Sequence, residues 1–148
     1  MPIVTMQPWH LLRVAIHMRD EDAAEQDLLS PGTDRQLWAC RRALEPGLAY
    51  AVTDSRGMPV ACFGFLDDGE GRCTAWLIAT PDWCRHVKSI AKAFKVVVRE
   101  GGYRRMQAFV QPGRPGAEKF LKWLGFTRDG PLPKMRSDGG AMDLYSYT

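Results

Sequence analysis

Five cations, Arg85, Lys88, Lys92, Lys95 and Arg99, recur every three or four residues and would share one side of a helix. Such a row has three readings: a solvated outer face, a site for phosphates, or a protein-contact surface. Phosphates could gather near Arg85 and Lys88, or run along the whole row if they belong to a nucleic acid. No aromatic residue interleaves with the cations, since Trp83 and Phe94 fall on the opposite side, which argues against a single-strand binding face. His10 and His17 lie seven apart without a third ligand nearby, and Cys40, Cys62, Cys73 and Cys84 include no C-x-x-C pair. No metal site is expected from either set. The acidic run Asp20-Glu21-Asp22, with Glu25 and Asp27, reads as a solvated helix face or loop. Tyr145 and Tyr147 offer phenols, but read better as packed aromatics.

The elements that would position these groups follow from apolar periodicity. Ile3 to Thr5 reads as a sheet edge. From Pro8, the residues Leu11, Leu12, Ala15 and Met18 mark a helix. After the break at Ser30-Pro31-Gly32, Thr33-Asp34-Arg35-Gln36 has capping-box form for a second helix, buried through Leu37, Cys40 and Leu44. Leu48 to Thr53 and Met58 to Leu66 form a hairpin around Asp54-Ser55-Arg56-Gly57, and Arg72 to Ala79 adds a third strand. Thr80-Pro81-Asp82 predicts a helix start, with Thr80 as N-cap. Trp83, Val87, Ile90, Ala91, Phe94, Val97 and Val98 then form its apolar side, up to Gly101-Gly102. Tyr103 to Gln111 is a strand with Met106, Ala108 and Val110 on one face. Ala117, Phe120, Leu121 and Leu124 line a last helix capped by Gly125. Trp123 falls off that apolar side, a hint of a partner surface. Asp129 to Gly140 reads as a loop before a final strand, Met142 to Tyr147.

The chain has 148 residues, of which 45% are hydrophobic and 25% charged, so one domain spanning 1–148 is expected. A net charge of +3 is mild and does not mark a dedicated nucleic-acid binder. MPIVTMQPW lacks a basic region before an apolar run, and no stretch is long enough to span a bilayer. The expectation is a cytoplasmic protein with reduced, mostly buried thiols and no membrane partner.

The order strand, two helices, three strands, long helix, strand, short helix, strand, closing on Ala117-Glu118-Lys119-Phe120-Leu121-Lys122-Trp123-Leu124-Gly125-Phe126, resembles the GNAT superfamily of acetyl-CoA-dependent N-acyltransferases. The order matches over nearly the whole chain, and the motif over about a dozen residues. The resemblance implies an α/β (α+β) fold: a central, mixed but mostly antiparallel sheet flanked by helices, ending in a hairpin. It also implies acetyl-CoA as cofactor and a small-molecule or protein amine as acceptor. The run from Phe94 to Phe126 is similar to GNAT-like proteins of tailed phages, including an internal virion protein. That implies an alternative: a silent scaffold of phage or prophage origin with a protein partner or a place in the virion.

Carried over residue by residue, the cofactor-binding positions are Leu77, Ile78 and Ala79 for the pantetheine arm and Arg85, His86, Val87, Lys88 and Ser89 for the pyrophosphate. The family's glycine-rich loop is not matched here. Lys88 and Ile90 stand where small residues belong, and a helix beginning at Thr80 would leave no loop and put Asp82 beside the phosphates. The family's Asn and Tyr fall on Arg114 and Leu121, neither of which can give up a proton there. Asp67, Asp68 and Glu70 in the preceding turn, and His86 near the expected site, read first as surface residues. The catalytic residues stay unassigned.

Overall fold

The computed structural model describes residues 3–32 and 34–147. Seven strands form one sheet in the order β1-β2-β3-β4-β5-β7-β6. They are β1 (Ile3–Thr5), β2 (Gly47–Thr53), β3 (Pro59–Gly69), β4 (Arg72–Ala79), β5 (Arg105–Val110), β6 (Thr127–Leu132) and β7 (Met142–Tyr147). All neighbours run antiparallel except β4 and β5. The helices are α1 (Pro8–Ile16), α2 (Asp20–Leu29), α3 (Arg35–Ala43), α4 (Val87–Glu100) and α5 (Pro115–Leu124). The α/β fold expected from the sequence is the one observed.

The side-chain alternation of the strands sends their apolar residues to two cores. On one face, α1 and α3 bring Leu11, Val14, Ala15, Trp38 and Ala39 onto Ala51, Cys62 and Ile78. On the other, α4 and α5 bring Ile90, Phe94, Val98, Leu121 and Leu124 onto Val52, Phe63, Phe65, Cys73 and Ala108. The β2–β3 hairpin closes where the Asp54 carboxylate accepts from the N–H groups of Arg56 and Met58, at 2.8 and 3.0 Å.

Several expectations need correction. The segment before the hairpin holds three helices, not two, because the acidic run itself forms α2. The capping box begins on Thr33, outside the described residues; Asp34 is the N-cap, accepting from Leu37 N–H at 2.7 Å. The buried side of α3 is Trp38 and Ala39, with Leu37, Cys40 and Leu44 exposed. Both faces hold apolar residues, and the large indole takes the packed one. The segment 129–140 is not all loop, since Thr127–Leu132 pairs with β7 as an outer strand. Gly130 and Pro131 are tolerated because the register shifts at Arg128/Gly130 and an edge strand can hold a residue that donates no hydrogen bond.

Gly125 ends α5 with φ +101°, and its N–H reaches back to the carbonyls of Leu121 and Lys122. A Cβ there would lie 2.9 Å from the Tyr147 ring. Gly125→Ala is therefore expected to cost at least the ~1–2 kcal/mol of a left-handed L-residue, read as a lower denaturant midpoint with an unchanged slope.

Candidate functional site

The parallel ladder between β4 and β5 contains only three register pairs, ending at Thr74↔Gln107. Beyond it the strands part, and Trp76 to Ala79 have no strand partner on that side among the described residues. The N–H of Thr80 donates to the Val60 carbonyl at 2.9 Å, so even-numbered residues of this stretch turn their peptide groups toward β3. Odd-numbered residues turn theirs outward; the Ala75 N–H closes the ladder on the Gln107 carbonyl, and the Ala75 C=O with the N–H and C=O of Leu77 faces the gap. A cavity of about 1010 Å³ fills it. It passes between the faces of the sheet: Phe94, Leu121 and Leu124 line it on the α4/α5 side, Trp76 and Arg42 on the α3 side.

At the mouth, the acidic run does something its sequence does not announce. Asp22 is 4% exposed. Its carboxylate accepts from Arg19 at 2.9 and 3.0 Å, from Arg114 at 3.2 Å and from the N–H of Ala79 at 3.0 Å. Glu25 accepts from Arg114 at 2.8 Å and from the N–H of Gln111 at 3.1 Å. Together, α2, the N-terminus of α5 and the ends of both parting strands are tied by two carboxylates and two guanidinium groups. Burial opposes the charge on Arg114, yet Glu25 and Asp22 hold its pKa above the usual value. Arg19 also stacks 4.3 Å over the Trp83 ring, and its N–H donates to the Ala79 carbonyl at 2.8 Å.

The eight residues expected to hold a cofactor fall in three places. Leu77 lines the cavity. Ile78 points to the α1/α3 core, while Ala79 has both peptide groups engaged by α2. Arg85 to Ser89 lie at the start of the long helix, and here the reading from Thr80 is corrected. Pro81–Arg85 is a separate 3₁₀ turn, and α4 begins at Val87 with His86 as its N-cap. Pro81 fits the first position of either helix type, so sequence could not separate them. Asp82 lies outside the first turn of α4, and the positive end of the helix dipole falls at Val87, Lys88 and Ser89.

The other candidates are placed plainly. His10 is buried, and its Nδ1 accepts from the Gln7 N–H at 2.9 Å. Among the described residues no group of three His, Cys, Asp or Glu is placed to hold a metal. Asp67, Asp68 and Glu70 are exposed, with Asp68 accepting from the Thr74 hydroxyl at 2.6 Å. Tyr145 is buried, and Tyr147 packs on Phe126. Arg114 is committed to Asp22 and Glu25, and Leu121 is core. Lys95 lies 4.7 Å from the ring of Trp123, which is 52% exposed, so α5 does bring an aromatic beside the basic row. No helix is long and apolar enough to cross a membrane among the described residues.

The thiols are not mostly buried as expected: Cys62 and Cys73 are buried, but Cys40 and Cys84 are exposed. Burial pushes Cys62 up to about 12, and burial with Asp68 and Asp67 does the same to Cys73. A disulfide-exchange reagent at neutral pH is expected to label only the exposed Cys40 and Cys84, and all four in denaturant. Because these folded-state values are raised, the stability they support is intact below their ordinary value of 9.0 and is lost as pH climbs toward about 12. Tyr103 and Tyr145 are raised from 10.0 in the same direction, chiefly by burial. Thermal midpoints should fall above pH ~9.

No family model matches the sequence. No curated protein matches it. Solved structures do. A putative phosphinothricin N-acetyltransferase superposes with a TM-score of 0.73 at 17% identity, covering 98% of this chain and 94% of that one. A GNAT-family acetyltransferase from Bacillus anthracis gives 0.71 at 13%, covering 98% and 92%. The chain has the GNAT acyltransferase fold. A spermidine N-acetyltransferase chimera that includes Vibrio cholerae sequence gives 0.72 at 11%, covering 98% and 93%. At such identities the likeness is one of fold.

Proposed function

We propose that this protein is an N-acyltransferase that binds acetyl-CoA between β4 and β5 and passes the acetyl group to an amine. The observation that supports this most is the early end of the β4–β5 ladder, which leaves the Ala75 carbonyl and both Leu77 peptide groups facing a cavity. Two groups of residues suit the cofactor: the free edge of β4 in the cavity and, outside its wall, the start of α4. An extended amide-bearing arm can pair with that free edge as a further strand would. The α4 N-terminus, with exposed Arg85 and Lys88, suits a pyrophosphate without the usual glycines. Acetyl-CoA supplies an activated thioester. The chain's own part is binding and orientation: the free edge fixes the arm, Phe120 and Leu121 line a dry wall, and α2 closes the mouth. No side chain of α5 in the cavity wall can donate a proton to a departing thiolate.

Other residues of the same site favour a second reading. With Arg114 and Leu121 at the acid-base positions and both peptide groups of Ala79 engaged, the chain could be a silent GNAT scaffold of phage or prophage origin, acting as a binding or virion-associated protein. Thermal shift separates the two. Acetyl-CoA and desulfo-coenzyme A at millimolar concentration should raise the midpoint by mass action if the slot binds. Absence of any shift would remove the enzyme reading.

A further inference from the structure

We propose that the acceptor amine also carries a carboxylate, and that Arg42 is the residue that recognises it. The inference rests on the acyltransferase reading. Arg42 reaches in from α3 to line the cavity, its guanidinium set 5.3 Å from the Trp38 ring and 5.4 Å from the Trp76 ring. Its side chain is 16% exposed. It is the least satisfied cation in the cavity wall. Arg19 and Arg114 each meet carboxylates at 3.2 Å or less, whereas Arg42 has one long contact, Nη1 to Glu45 at 3.4 Å. Its Nε–H is buried without a partner among the described residues. Burial lowers its pKa, and Glu45 offsets this only in part.

A buried cation with unmet donors is costly unless a ligand completes it. The planar fork of a guanidinium matches a carboxylate, and the neighbouring Trp38 and Trp76 rings limit where the fork can move. Position agrees with an acceptor. Arg42 lies on the α1/α3 side of the sheet, while the α4 N-terminus belongs to the opposite side, so donor phosphates and acceptor carboxylate would enter from different faces. On the acceptor side, Asp20 and Glu21 also line the cavity and complement an ammonium group.

The test is an acceptor panel in matched pairs: phenylalanine against 2-phenylethylamine, and 4-aminobutyrate against butylamine, each followed by thiol release from acetyl-CoA. The wild type should prefer the carboxylate-bearing member of at least one pair by about 100-fold in kcat/KM. Arg42→Met, which keeps an apolar stem between the tryptophans, should reduce that preference to near parity while leaving acetyl-CoA affinity unchanged. Arg42→Lys should fall between. Should Arg42→Met not fold, the wild-type panel and Arg42→Lys still decide. Equal rates within both pairs, or a preference that survives in Arg42→Met, overturns the inference alone. If calorimetry shows no heat with acetyl-CoA, the acyltransferase reading fails, and this inference with it.

Discussion

Replacing Asp22 with alanine is expected to destabilise the protein by about 3–5 kcal/mol, a large part of the stability of a domain this size. The carboxylate is buried and accepts from two guanidinium groups and from the end of β4. Its loss leaves the Ala79 N–H without its acceptor, Arg19 with only the longer Glu21 contact at 3.5 Å, and Arg114 with Glu25 only. Asp22→Asn should cost nearly as much, since an amide turns donors toward donors. The effect should be shared with Arg114. In a cycle of Asp22→Ala, Arg114→Ala and the double variant, the coupling should approach ~1–3 kcal/mol, as for groups in one network. Urea unfolding measures this. Strict additivity would mean that the ties across the mouth are surface ion pairs of little weight.

The second large effect concerns the basic row. Arg85→Glu with Lys88→Glu should weaken acetyl-CoA binding by about 30-fold, since two reversed charges at a helix N-terminus cost roughly 2 kcal/mol. Both positions are exposed, so folding should change little. The matched control is Lys92→Glu with Arg99→Glu, farther along the same helix. If the phosphates gather at the α4 start, the control pair should retain near-wild-type affinity. If the row is a nucleic-acid track, both pairs should weaken single-strand or duplex binding alike and leave acetyl-CoA untouched. Titration calorimetry on the two double variants distinguishes these outcomes.

Much of this architecture is legible locally. Asp54 and Gly57 announce the hairpin, Arg72 to Ala79 alternates as the strand it forms, and Gly125 marks the end of α5 where its φ is positive. What the sequence conceals depends on partners far along the chain. Asp20-Glu21-Asp22 looks solvated because its counter-cation, Arg114, lies 92 residues beyond Asp22. Arg42 looks like one more cation on a helix until Trp76 arrives across the sheet. The outer strand holding Gly130 and Pro131 is recognisable only once β7 is there to pair with it. The parting of β4 from β5 follows from where the ladder ends, which no single strand encodes.

That parting carries the functional account, and amide hydrogen exchange tests it residue by residue. Trp76 and Ile78 already turn their N–H groups to β3, and the Ala79 N–H is held by Asp22. The Ala75 N–H is already paired with the Gln107 carbonyl, so saturating acetyl-CoA should slow exchange at Leu77 and leave Ala75, Trp76, Ile78 and Ala79 unchanged. Binding that leaves Leu77 unprotected would contradict a cofactor arm paired along the free edge of β4.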